Sequence, residues 1–198
     1  MNYLAHAYLS FGDEEILVGN MISDFVKGKK KFDYPEGIQK GIALHRAIDE
    51  FTDDHAVTKT AKQLLRPAAD KYAGAFMDVV YDHFLATDTN EFANDEALLL
   101  FTQNTYDQLG RHANVFPERF GQMFPYMRSQ NWLYNYQFTK GIEKSFGGLT
   151  RRAVYISDPR PVFLLFEKNY TELKKYYSAF FPELKAFAIS KLPQLRNT

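Results

Sequence analysis

Apolar positions along the chain recur with a helical period and hardly ever alternate as a strand would, so the pattern predicts an all-α protein. Ile16, Leu17, Met21, Ile22 and Phe25 form one apolar stripe, which predicts a first helix from residue 14 to about 27, stopped by Gly28. Pro35 suits the first turn of a second helix reaching about residue 52, whose inward face carries Ile38, Ile42 and Ile48 together with His45. A third segment, about 58 to 86, buries Phe76, Val79, Val80, Phe84 and Leu85, with a break expected at Pro67. Further helices are expected over 96–110, 117–126, 132–146 and 161 to about 192, the last interrupted near Phe181 and Pro182. Nothing repeats at a solenoid period. The expected architecture is one domain over 1–198, a compact irregular bundle of about seven to nine helices.

Composition narrows the chemistry. With 45% apolar residues, 18 Phe and 13 Tyr, a core can be buried without staples. There is no cysteine, which excludes disulfides, thiolate metal sites and thiol nucleophiles, and leaves His, Asp and Glu. Lys plus Arg and Asp plus Glu balance at 24 each, so no overall field favours nucleic acid. Local basic clusters remain at Lys27, Lys29, Lys30 and Lys31 and at Arg151 and Arg152. The N-terminal stretch has no basic region ahead of an apolar one, and no window approaches the roughly 18 apolar residues of a span. A cytoplasmic protein without membrane insertion is expected.

His6, His45 and His83 each sit among apolar residues. One buried histidine is most simply a hydrogen-bonded core residue, so the argument rests on what accompanies it. Asp24 interrupts the apolar run from Met21 to Phe25, and a carboxylate there must be paired, ligated or displaced to a rim. His45 and Asp49, four apart, share one helical face, and Asp53 continues the row. Asp82 and His83 lie between Val80, Tyr81, Phe84 and Leu85. A carboxylate and an imidazole from one helix can approach one divalent ion, with other ligands arriving from elsewhere. Mixed His and Asp ligation favours Mn, Fe or Zn over Ca. His55 and His112 have no such company and read as surface residues.

Four segments, in this order and spacing, resemble the acyl carrier protein phosphodiesterases, unconventional members of the HD phosphohydrolase superfamily. They are 1–6, 19–28 (GNMISDFVKG), 41–49 (GIALHRAID) with Thr52 and Asp53, and 78–85 (DVVYDHFL). A looser likeness continues through Asn131, Trp132 and Leu133 and from Gly148 to Arg152. The resemblance implies an HD-like helical fold. It also implies hydrolysis of the phosphodiester between 4′-phosphopantetheine and a serine of holo acyl carrier protein, with a divalent metal, usually Mn2+, though Fe2+, Zn2+ or Mg2+ fit the class. Carried over by position, His6, Asp24, His45, Asp82 and His83 are the implied ligands, with Asp49 an orienting carboxylate or base. Arg46 is implied as a phosphate contact; Arg151 and Arg152 read either as further phosphate contacts or as a solvated helix-start turn, and Lys27, Lys29, Lys30 and Lys31 either as a basic rim that docks the acidic carrier protein or as a solvated turn. The usual HD signature places His before Asp, whereas this chain reads Asp82-His83, so individual ligand assignments do not transfer from typical HD enzymes.

Two rivals stay open at this level. One is a metal phosphohydrolase acting on a nucleotide or other small phosphodiester, which salt would inhibit less than docking of a whole acidic protein. The other is a non-catalytic carrier-protein-binding domain, against which the intact set of buried ionisable residues argues.

Overall fold

The computed structural model describes residues 1–196. Its order is α1 (Tyr3–Tyr8), α2 (Glu14–Ile22), α3 (Glu36–Asp54), α4 (Ala56–Ala69), α5 (Ala73–Ala86), α6 (Asp95–Arg111), α7 (Glu118–Ser129), α8 (Trp132–Asn135), α9 (Thr139–Thr150), α10 (Arg160–Lys168) and α11 (Tyr170–Arg196). No strand occurs among the described residues, as the apolar period predicts, but the eleven helices exceed the expected number. Among the described residues no helix is long and apolar enough to cross a membrane.

The extra helices come from breaks the apolar pattern does not mark. α1 is six residues long, too short for periodicity to register. α2 stops at Ile22 rather than near Lys27, because Ser23–Phe25 tightens into a 3₁₀ turn. Pro67 stays inside α4; the break falls three residues later, where Asp70 takes φ 45° and ψ −125°, a backbone conformation outside the wells open to L-residues. The expected 132–146 helix is two helices, because Gly141 packs on the Asn135 carbonyl, where a Cβ would come within 2.0 Å. At the C-terminal end the break is at Asn169, which caps α10 by donating to the Leu165 carbonyl at 2.8 Å. Pro182 is carried within α11, whose buried Phe180, Phe181, Leu184 and Ala188 hold the helix against α3, α4 and α5 on both sides of the proline.

α2 and α3 cross closely enough for backbone to touch backbone. A Cβ on Gly19 would lie 2.1 Å from the Ile38 carbonyl oxygen, and one on Gly41 would lie 2.3 Å from that of Ile16. α5 passes through the core with Phe76, Val80, Tyr81, Phe84 and Leu85 all buried. Asp82, fully buried on α5, receives α1: its carboxylate accepts the N–H groups of Leu4 at 2.7 Å, Ala5 at 3.2 Å and Asn2 at 3.3 Å. These are three donors that a helix start leaves without intrahelical partners. α1, α2 and α3 are thereby fixed around one point, with His6 on the first, Asn20 on the second and His45 on the third.

Alanine is a better helix former than glycine by about 1 kcal/mol, yet the backbone clash decides the sign at Gly41. Gly41→Ala is expected to cost about 2 kcal/mol net and lower the thermal midpoint by roughly 4–8 °C. A variant as stable as the parent would mean that the helices do not cross this closely.

Candidate metal centre

Three side chains from α1 and α3 converge. The rings of His6 and His45 stack with centroids 3.9 Å apart and 15° between planes. Asp49, one turn beyond His45, faces both: its oxygens lie 3.2 Å from His6 Nε2 and 3.1 Å from His45 Nε2. Ligand atoms of the three residues all lie within 4.8 Å of one another, a group that can hold a metal ion. Asp24 stands at the mouth, 3.2 Å from His45 Nε2, with 67% of its side chain exposed against 39% for Asp49.

Asn20 sets how the rings point, and the sequence reading had not singled it out. Its Nδ2 donates to the His6 carbonyl at 2.8 Å and to Ser10 Oγ at 3.1 Å. A carbonyl only accepts, so the amide orientation is determined, and Oδ1 must accept from His6 Nδ1–H at 2.8 Å. The backbone carbonyl of the same residue accepts from His45 Nδ1–H at 2.7 Å. Both imidazoles therefore carry their proton on Nδ1 when neutral and turn bare Nε2 lone pairs toward Asp49. His6 Nε2 is buried and has no hydrogen-bond partner. Lone pairs from two rings and a carboxylate at one point can be shared by a cation. The signal was present in the sequence: an amide within Val18-Gly19-Asn20-Met21-Ile22 must be satisfied for the same reason as Asp24.

In the metal-free protein, protons and the N-terminal ammonium neutralise this charge. Burial and the charge of neighbouring His45 push His6 down to about 4, so it is neutral near pH 7. Burial alone would lower His45 as well, but hydrogen bonds to Asp24 and Asp49 outweigh it and lift His45 to about 9. Burial would raise Asp49, but hydrogen bonding to His45 and the nearby Met1 ammonium hold it well below the usual carboxylate range. The Met1 ammonium is itself buried, 3.2 Å from Asp49 and 3.1 Å from Asp78; burial opposes its charge, yet the two carboxylates lift it to about 11.

The remaining expected residues are distributed differently. Asp82 and His83 do not meet at this group. Consecutive residues on a helix diverge by roughly 100°, and here each has other partners. Burial pushes Asp82 up to about 7 against its hydrogen bonds to the α1 backbone. His83 donates from Nδ1 to the Tyr136 carbonyl at 2.7 Å, pairs through Nε2 with the Tyr170 hydroxyl at 2.9 Å, and lies among Phe84, Phe166 and Tyr170. Arg46 donates to the Val26 carbonyl at 3.0 Å. Asp53 lies outside the group, paired with Lys62 at 2.6 Å. Arg151 and Arg152 diverge: Arg151 lies beside Gly147 and Gly148, whereas Arg152 is close enough for its charge to act on Tyr3, which Asp24 also influences. Lys27 is exposed beside Asp24 on the wall of a cleft. His55 and His112, expected at the surface, are half-buried and pin helices together, His55 to Glu183 at 3.3 Å and His112 to Glu14 at 2.9 Å.

Asn20→Ala is expected to lose about 1–3 kcal/mol of stability through unpaired buried groups and to release His6 while sparing His45, whose partner is backbone. Nitrogen-15 NMR of the imidazoles reads this directly: His6 is Nδ1-protonated in the parent and a tautomer mixture in the variant. An Nε2-protonated His6 in the parent would overturn the arrangement.

The family model described as acyl carrier protein phosphodiesterase matches residues 1–184. A curated relative from Klebsiella pneumoniae (strain 342) with that same name is 31% identical over 191 residues, covering 96% of this chain and 99% of its own. Similarly named relatives are 30% identical from Serratia proteamaculans, over 96% of this chain and 99% of their own, and 29% identical from Photorhabdus laumondii, over 98% and 100%. No solved structure matches. The sequence segments around His6, Asp24, His45 and Asp82 are thus part of a likeness that runs the length of the chain, which belongs to the acyl carrier protein phosphodiesterase family.

Proposed function

We propose that this protein is a metal-dependent phosphodiesterase that hydrolyses the bond between 4′-phosphopantetheine and the serine of holo acyl carrier protein, releasing apo carrier protein. Family membership supports the substrate. The observation that carries the chemistry is the convergence of His6 Nε2, His45 Nε2 and the Asp49 carboxylate, with both rings oriented through Asn20. His6, His45 and Asp49 would hold the divalent ion, manganese by preference among Mn2+, Fe2+, Zn2+ and Mg2+. When bound, such an ion lowers the pKa of a coordinated water and neutralises charge on phosphoryl oxygens.

The chain's own groups supply the rest. Asp24, exposed at the mouth beside His45, is assigned to orient the attacking water and take its proton. Asp49, deeper and flanked by both histidines, takes a holding role, so the two carboxylates exchange the tasks expected from the sequence. Arg152, whose charge acts on Tyr3 as that of Asp24 does, is assigned to the phosphoryl oxygens as they gain charge. Arg46 braces the backbone at Val26 and is left out of the phosphate contacts. Asp82 is assigned to seating α1, and His83 to the core behind it.

The direct test is incubation of purified protein with holo acyl carrier protein and manganese, with and without chelator. The expected outcome is loss of the arm from the carrier's mass and release of free 4′-phosphopantetheine, abolished by chelator. An unchanged carrier protein would shift the assignment to a small phosphodiester.

Metal affinity should also depend on pH with a definite sign. His45 is protonated in the metal-free protein up to about pH 9, and the proton occupies the Nε2 that the ion needs. Manganese affinity measured by calorimetry is therefore expected to rise roughly tenfold per pH unit between 7 and 9 and then level off, with one proton released. A flat profile over that range would place the ion elsewhere.

A further inference from the structure

A cleft of about 440 Å³ opens from Asp24, at the mouth of the His6–His45–Asp49 group. One wall is the segment Asp24, Phe25, Val26 and Lys27 with Lys30 and Tyr34; the other is the start of α7 at Pro117, Glu118 and Arg119. The walls are held from behind. Phe25 packs edge-on against Phe120 at 5.5 Å, and Arg46 fixes the Val26 carbonyl.

The cleft has the volume of a small-molecule site, within the usual range of about 300–1,000 Å³. Its interior mixes apolar faces of Phe25, Val26 and Pro117 with polar groups, and its cations are uncompensated. Lys27, Lys30 and Arg119 make no side-chain hydrogen bond or ion pair among the described residues. By contrast, Asp24 is engaged by His45, and Glu118 by the Gln122 amide at 3.2 Å.

Resting on the phosphodiesterase reading above, we propose that this cleft is the subsite for the prosthetic arm: the phosphate end lies at Asp24 and the pantetheine chain runs between the 24–34 segment and the start of α7. A phosphodiester at this centre has two substituents that must leave in different directions. A folded protein does not enter a cleft of this volume, whereas a slender chain of amides, hydroxyl and methyl groups does. Arg119 and Lys30 meet the anionic end, and the apolar faces take the methyl and methylene groups. The carrier protein's body is left outside, over the rim.

Arg119→Glu with Lys30→Glu, both at exposed positions, tests this. Thermal melting checks the fold, and two further measurements are made: KM for holo carrier protein, and calorimetric affinity for free 4′-phosphopantetheine, which lacks the protein. The expected result is a rise in KM and a loss of phosphopantetheine affinity, each of tenfold or more. If KM rises but the free arm binds the variant as it binds the parent, the cations meet the carrier's surface and the subsite assignment is overturned. It is likewise overturned if the parent cleaves holo carrier protein but does not bind the free arm. A parent that binds the free arm through these residues yet cleaves no holo carrier protein would keep the subsite and remove the proposed reaction.

Discussion

Everything at the candidate centre depends on how near α2 comes to α3. Side chains normally keep helix axes about 8–10 Å apart; at this crossing Gly19 and Gly41 remove them, and only backbone lies between. The consequence is local and chemical. Asn20 follows Gly19 directly, and His45 lies one turn beyond Gly41, so the His45 ring reaches the Asn20 backbone carbonyl at 2.7 Å. The Asn20 side chain, on the same residue, reaches His6. A wider crossing would lose the first contact before the second, and the two rings would no longer share one reference point.

That closeness gathers charge where water is scarce. Asp49, Asp78 and Asp82 lie near one another around the buried Met1 ammonium, and ionised carboxylates in such surroundings are costly unless paired. The structure divides the compensation. Backbone N–H groups of α1 serve Asp82, the ammonium serves Asp49 and Asp78, and His45 serves Asp49 and Asp24. One nitrogen, His6 Nε2, is left over. A donor set kept apart by its own hydrogen bonds does not have to reorganise when a cation arrives, which is the usual advantage of oriented metal ligands.

The sequence made the helical class and the buried histidines legible because both are written in apolar periodicity. His45 travels with Ile38, Ile42 and Ile48, and the structure buries all four. Periodicity carries no information about partners, which explains the rest. Asp82 and His83 were correctly read as enclosed by apolar neighbours, but their adjacency, taken as a reason to share an ion, sends them in different directions on α5. α1 left no periodic trace because it is six residues long, and its start is held by a carboxylate about 80 residues away that no local pattern announces. Asn20 was hidden for a related reason. An amide can be satisfied in many ways, and only the placement of α1 against α2 reveals that it orients two rings.

The division of labour along the chain follows from the same geometry. The converging donors come from α1 and α3 and are oriented from α2, so the first 49 residues could in principle be arranged around an ion by local contacts alone. Yet α1 is only six residues and needs Asp82 on α5 to start it. α5 in turn is held in the core by aromatic contacts of Phe76 with Phe146 and of Tyr81 with Phe180, which belong to α9 and α11. The C-terminal helices thus act on the centre through α5, without contributing a donor to the convergent group. The exception is the start of α7, which meets the 24–34 segment to enclose the cleft. Separate segments therefore supply the donors, the rigidity and the second wall, and this explains why motifs in the first 85 residues contain the converging donors but not the second wall of the cleft.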